Sequence, residues 1–331
     1  MTKMKIMTRR SVLSTIVALA AVLDSTFAAA SDYPVHPITV IVPFAGGSAS
    51  DVVTRIVLDR MSKSMGQPII VDNRPGAGGN IGTAAGAKAA PDGYTLVASG
   101  SGPMAANKTL YRDLGYDPEK DFEAISPFAG FTLVIAASTK LPVSTLTELI
   151  AYARAHPSQL NYGSVGIGSS QHLGGVYFEQ VTGVKLTHVP YRNIAQYGPD
   201  LMAGVVQLGF QWLPNIAGPL NSGGAKALAV AGKRRLAALL NVPTAAEAGL
   251  AGYEAAGWFA MVAPRQTPRA IVAKINRELA AAMADPTVRE RFLEQGAEPM
   301  ALTPEEATAF MSSETLKWHD IITAAGIPVI E

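Results

Sequence analysis

Short apolar runs alternate along this chain with stretches whose apolar residues fall at helical spacing. Ile38 to Phe44 is rich in β-branched residues and closes on Pro43, which predicts a short buried strand. After Gly46 and Gly47, Ser48-Ala49-Ser50-Asp51 has capping-box spelling: Ser48 caps a helix and Asp51 reaches back from its third position. That helix carries Val52, Val53, Ile56, Val57 and Met61 along one side and ends at Gly66. A second strand, Ile69 to Val71, runs into the loop Asn73-Arg74-Pro75-Gly76-Ala77-Gly78-Gly79-Asn80, dense in residues that tolerate positive φ. A small-residue helix from Thr83 to Ala90 and a strand from Tyr94 to Ser99 follow. Strand, helix, strand, helix, strand predicts a parallel sheet with right-handed crossovers.

Ile125 to Ala137 is apolar for longer than an ordinary strand and predicts a crossing into a second domain. There the opening logic recurs: the strand Leu160 to Ser164, the turn Val165-Gly166-Ile167-Gly168-Ser169, and a helix from Ser170 with Leu173, Val176, Tyr177 and Val181 on one side. Further alternation leads to Trp258 to Ala263, the return crossing, and to helices Pro268 to Ala284 and Pro304 to Ala324, each opened by Thr-Pro. The pattern predicts an α/β fold of two doubly wound domains joined by two crossing segments. Residues 31–130 and 256–331 form the first domain and residues 131–255 the second, with a cleft between them.

Composition narrows the class. Met1 to Ala30 has a basic start, an apolar run from Val12 to Leu23 and small residues ending at Ala30, the layout of a secretory signal cleaved near Ala30. Thr8-Arg9-Arg10-Ser11 also has twin-arginine character. Without that segment the chain has 23 Lys+Arg against 25 Asp+Glu, too near neutral for a nucleic-acid partner. There is no cysteine, which removes disulfides and thiolate chemistry, and the five histidines lack metal-site spacing. Neither a metal nor a cofactor is expected.

Three motifs carry candidate chemistry. The turn at Gly46–Asp51 has the strand-turn-helix context of a nucleophile elbow, but Gly46-Gly47-Ser48-Ala49-Ser50 lacks the closing glycine and no later Asp and His pair is marked out by its surroundings. Gly76-Ala77-Gly78-Gly79-Asn80-Ile81 misses the last glycine of a dinucleotide turn and reads as a structural loop. The third reading is two helix starts, one per domain, lined by glycine and serine and facing a shared cleft, where N–H and hydroxyl groups can hold an anion. His172, in the first turn of the second helix, is as easily a structural residue as a ligand donor.

The motifs Val42-Pro43-Phe44-Ala45-Gly46-Gly47, Asn73-Arg74-Pro75-Gly76-Ala77-Gly78-Gly79-Asn80, Pro91-Asp92-Gly93-Tyr94, Gly168-Ser169-Ser170-Gln171-His172 and Val189-Pro190-Tyr191-Arg192 closely resemble the Bug family, periplasmic solute-binding proteins of tripartite tricarboxylate transporters. The resemblance spans nearly all of the chain after residue 30. It implies a monomeric, non-enzymatic Venus-flytrap protein of the periplasm that closes over a small carboxylate and delivers it to membrane permease subunits. Carried over by motif, the implied ligand-binding residues are Phe44, Ala45, Gly46, Gly47, Ser48, Ser50 and Asp51 from the first turn and Ser99 and Ser101 from the third strand. The second domain adds Gly163, Ser164, Gly166, Gly168, Ser169, Ser170, His172, Tyr191 and Gln211.

Departures from the family pattern bear on the ligand. Ser48 replaces a usual glycine and adds a hydroxyl, and Asn193-Ile194 follow Arg192 where glycines are common. Gln207 and Gln211 stand at commonly acidic positions, which removes partners for an ammonium group. A di- or tricarboxylate is therefore expected over an amino acid, with an aromatic acid such as terephthalate stacked near Trp212 or Phe210 as one option. Trp212 reads equally well as core. Two other functions fit the same residues: an exported serine hydrolase using Ser48, and a ligand sensor for a membrane kinase.

Overall fold

The computed structural model describes residues 33–324 and 326–330; the expected signal segment lies outside them. Strand β1 (Ile38–Val42) leads into helix α1 (Ala49–Met65), followed by β2 (Ile69–Asn73), α2 (Asn80–Ala87) and β3 (Thr95–Gly100). Ser48 accepts from the Asp51 N–H, and Gly66 ends α1 in the left-handed region at φ 68° with its N–H on Ser62 O. The inward face of α1 buries Val53, Ile56, Val57 and Met61 against the sheet.

Strands β4 (Phe122–Thr132) and β5 (Val134–Ser138) form one nearly continuous segment that leaves the first sheet and enters the second. The second sheet takes α4 (Leu146–Ala155) after a short α3 (Asn107–Leu110), then β6 (Asn161–Ser164), α5 (Ser170–Thr182), β7 (Thr187–Pro190), α6 (Tyr197–Ala203), β8 (Leu208–Gln211), α7 (Leu213–Asn221) and β9 (Ala225–Val230). The chain returns through β10 (Ala256–Pro264), α8 (Arg269–Ala284), α9 (Pro286–Glu294), β11 (Ala297–Pro299) and α10 (Pro304–Ala324).

The first sheet has the order β11-β4-β10-β3-β1-β2 and the second β7-β6-β8-β5-β9. Strands β2, β1 and β3 are parallel, as the alternating pattern predicts. The return strand β10 departs from that plan by inserting antiparallel between β3 and β4, pairing Ala256 with Thr132 and Phe259 with Gly100. Where the lobes join, Leu133 N–H donates to Ala255 O, Ala255 N–H to Ala231 O, and Ala231 N–H to Leu133 O, at 3.0, 2.9 and 2.8 Å. The two crossing segments and the end of β9 are thus hydrogen-bonded to one another where the lobes join.

A second departure is α7. Pro214 and Pro219 predict a turn, yet Pro214 sits at the start of the helix, where its missing N–H costs nothing. Pro219 falls in the last turn of the nine-residue helix.

Candidate functional site

Helix α1 of the first lobe and α5 of the second begin alike: serine at the cap, glycines before it, a strand before those. Ser169 Oγ accepts from the His172 N–H at 3.3 Å and donates to Gly166 O at 2.6 Å. The two helix starts meet at one cavity at the seam of the lobes. It is lined from the first lobe by Phe44, Ser48, Ala49, Ser50, Ser101 and Phe259 and from the second by Val165, Ser169, Ser170, Gln171, Trp212 and Asn215. Among the described residues no charged side chain lines it. Its volume is about 20 Å³, the room of about one water molecule, so a larger ligand enters only when the lobes part.

Two hydrogen bonds hold the lobes together beside the cavity. Ser101 Oγ and Ser170 Oγ lie 2.9 Å apart. The Ala49 N–H, one of the amides that a helix start leaves without an internal acceptor, donates to Asn215 Oδ1 at 3.0 Å. Asn215 in turn donates to Gln211 Oε1 at 3.0 Å, and Gln211 Nε2 donates to Gly163 O at 2.8 Å. A side-chain relay therefore runs from the strand end of one lobe to the helix start of the other.

Backbone meets backbone elsewhere on the seam. A Cβ on Gly102 would lie 2.4 Å from Gly168 O, and one on Gly166 2.7 Å from Gly78 N. Tyr111 also donates its hydroxyl to Ile167 O at 3.0 Å.

Of the sequence-expected site residues, Phe44, Ser48, Ser50, Ser101, Ser169 and Ser170 line the cavity. Ala45, Gly46 and Tyr191 line a wider recess at its mouth, and Gly47 a neighbouring one. Tyr191 donates to Asp200 Oδ2 at 2.6 Å, and burial with that carboxylate raises its phenol pKa. Ser99 is buried behind the wall, 2.8 Å from Thr83 Oγ1. Gly163 and Gln211 belong to the relay, while Gly166 and Gly168 shape the backbone seam.

Asp51 faces away from the cavity. Its carboxylate accepts from the Gly47 N–H at 2.9 Å, from Asn73 at 2.9 Å and from Arg55 Nε at 2.9 and 3.0 Å. The reach-back thus lands one residue before the cap. Burial opposes ionisation of Asp51, but the bonds from Arg55, Gly47 and Asn73 prevail and hold its carboxyl below the usual range. Its place in the structure is to pin the first turn.

Behind the second turn, His172 Nδ1 accepts from the Gly168 N–H at 3.3 Å, and His188 Nε2 lies 2.6 Å from Ser164 Oγ. The two imidazoles pack 4.5 Å apart. Burial pushes His172 down to about 4; burial, with His172 beside it, pushes His188 to about 3. Both are neutral at pH 7, whereas unfolded histidine titrates near 6.5, so the unfolded state binds more protons below that pH. Stability present above about pH 6.5 is lost as pH falls toward 4. Urea unfolding at pH 7 and pH 5 should differ by about 1–2 kcal/mol from His172 alone, and His172→Asn should shrink the difference. An unchanged midpoint in the wild type would contradict a buried neutral pair.

The residues that sequence reasoning leaves out are mostly cross-lobe partners: Gly102, Asn215 and Phe259. Asn215 stands in the first turn of α7, three residues past Trp212 at the cap, and caps nothing, so it lacks the local signal that Ser48 and Ser169 carry. Trp212 lines the cavity and packs against Phe131 at 5.4 Å, whereas Phe210 is fully buried among Tyr162, Phe178 and Tyr253.

Two hinged α/β lobes that close on an uncharged, hydroxyl-lined cavity define a solute-binding protein of the Venus-flytrap type. A sequence profile of the tripartite tricarboxylate transporter family receptor, TctC, matches residues 53–327, and the chain belongs to that family. It is 35% identical to BugT of Bordetella pertussis over 298 residues, 90% of this chain and 91% of that protein. An R. palustris protein solved with adipate is 36% identical, with a TM-score of 0.87 over 90% of this chain and all of that one. The malate-bound MatC of Rhodopseudomonas palustris is 33% identical, with a TM-score of 0.81 over 88% of this chain and all of that one. The fold likewise matches the periplasmic binding protein BugD, at a TM-score of 0.86 and 33% identity over 90% of this chain and all of that one. Among the described residues no helix is long and apolar enough to cross a membrane.

Proposed function

We propose that this protein is a periplasmic receptor that captures a small carboxylate and delivers it to the permease subunits of a tripartite tricarboxylate transporter. Residues 1–30 would be removed on export, residues 31–130 and 256–331 would form one jaw, and residues 131–255 the other. The observation that carries the reading is the meeting of two serine-capped helix starts, one from each lobe, at a cavity without charged side chains.

Energetics favour an anion held by many dipoles. A helix terminus alone stabilises a carboxylate by about 0.3–1 kcal/mol, up to ~2 when partly buried. Dehydrating the carboxylate costs several kcal/mol. Three or more hydrogen bonds at about 1.5–3 kcal/mol each reverse that balance. The Ser50, Ser170 and Gln171 amides, which neither a cap nor Asn215 takes, and the hydroxyls of Ser48, Ser50, Ser101 and Ser170 are the donors for them. Relatives solved with adipate and malate support the same ligand class.

The site binds without reacting. Ser48 Oγ lies 3.0 Å from Ser50 Oγ and accepts from the Asp51 N–H, with no imidazole in hydrogen-bond contact among the described residues. The close serine–histidine pair, Ser164 and His188, is away from the cavity. The clamp is complete within one chain, because both of its halves come from it.

Phe44, Trp212 and Phe259 give the cavity an aromatic wall, which favours a flat ligand such as terephthalate beside the aliphatic diacids. A thermal-shift panel of adipate, malate, citrate and terephthalate tests both levels. At saturation, a ligand at a hundred times its Kd adds about 2.7 kcal/mol of stability. A shift with any of the four supports the receptor; shifts with the aliphatic acids alone would reject the aromatic ligand, and none at all would reject the carboxylate.

A further inference from the structure

We infer that Arg192 forms a second anion subsite at the mouth of the cleft, which holds the distal acid group of a dicarboxylate whose other carboxylate lies in the hydroxyl-lined cavity. The inference rests on the carboxylate-receptor reading and adds a specificity determinant to it. Arg192 follows β7 in the second lobe and faces the first lobe's opening turn. A narrow gap leaves the main cavity past Phe44 and Val165 and reaches Arg192 beside Ala45 and Pro75. From there it widens into the recess of about 660 Å³ shared by Gly46, Asn73 and Tyr191. Phe44 and Val165 thus form a wall common to the serine clamp and the gap, and Arg192 lines both the gap and the recess.

Arg192 is the one charged side chain lining the cavity, the gap or the recess among the described residues. It makes no ion pair or hydrogen bond within the described residues. Its neighbours on the seam are otherwise engaged. Arg55 is held by Asp51 and Arg74 by Asp72. Asn73 donates to Asp51 and to Phe44 O, and Asp200 accepts from Tyr191. A planar guanidinium without a partner, facing an anion site across a gap, fits a carboxylate through paired N–H donors. A monoacid bound in the clamp leaves that fork unused; a diacid can reach it.

Calorimetric titration of the full mature protein with adipate and with hexanoate, which share chain length and differ in one acid group, tests the assignment. Arg192→Gln is expected to weaken adipate about tenfold to a hundredfold and hexanoate less than about twofold. Arg192→Lys should recover part of the adipate loss, since it keeps the charge without the fork. Equal weakening of both acids, or of neither, would overturn the subsite. Failure of the wild type to bind either acid would count instead against the receptor reading beneath it. The side chain is exposed and unpartnered, so the variant should fold as the wild type does.

Discussion

Gly102→Ala is expected to weaken carboxylate binding about tenfold to a hundredfold while leaving each lobe folded. The added methyl would lie 2.4 Å from Gly168 O and 3.5 Å from the Ser169 backbone, atoms of the opposite lobe that cannot rotate away. Forcing a methyl into a packed contact costs about 1–3 kcal/mol, and here that cost falls on the closed state. Gly102 is not in the left-handed region, so alanine meets no φ penalty there. It does precede Pro103, which disfavours helical backbone for a residue with a Cβ, and this local cost is read separately from unfolding without ligand. Gly218→Ala is the control, since nothing lies within 4 Å of its added methyl. Calorimetry should show weakened affinity for the first variant and wild-type affinity for the second. Unchanged affinity in Gly102→Ala would mean that binding does not use this closure.

Asp51→Asn is expected to cost about 2–3 kcal/mol of stability, measured by urea unfolding at pH 7. The carboxylate side chain is 5% exposed and serves the Gly47 N–H, Asn73 and Arg55 at once. An amide offers one acceptor oxygen and turns an NH2 group toward existing donors. Arg55, 53% exposed, recovers water on losing its partner, which keeps the effect below that of a fully buried pair. The pH dependence has a definite sign. The folded-state pKa of Asp51 is depressed, so its stabilisation is complete above the ordinary aspartate range near 3.9 and is lost as pH falls through the lower folded value. Wild type and variant should therefore converge in acid. A gap that does not narrow at all as the pH falls below the ordinary aspartate range would show that the loss is steric, not ionic.

Local chemistry made much of the site legible in the sequence. Ser48 and Ser169 announce their helices because a cap acts within three residues, and the glycines before them mark turns for the same reason. The parallel β2-β1-β3 core follows from alternation alone. What could not be read depends on residues far apart in the chain. Nothing near Trp258 says that its strand inserts antiparallel between β3 and β4, because that pairing is set across more than a hundred residues. Asn215, Gly102 and Phe259 enter the site only when the lobes meet. Asp51 shows the boundary: its position at the helix start was plain, but its true partners, Gly47, Asn73 and Arg55, place it behind the turn and away from the cavity. Arg192 lay in plain view within a recognisable motif, and its interest comes from what the fold withholds from it, a counter-ion.

The central claim is that the two lobes close on a carboxylate and release it unchanged. Small-angle scattering of the mature protein, with and without a saturating dicarboxylate such as adipate, tests this most directly when the ligand is quantified afterwards. The account predicts a smaller radius of gyration with ligand, one molecule bound per chain, and full recovery of the acid. An unchanged radius despite bound ligand, or an acid converted to product, would contradict it.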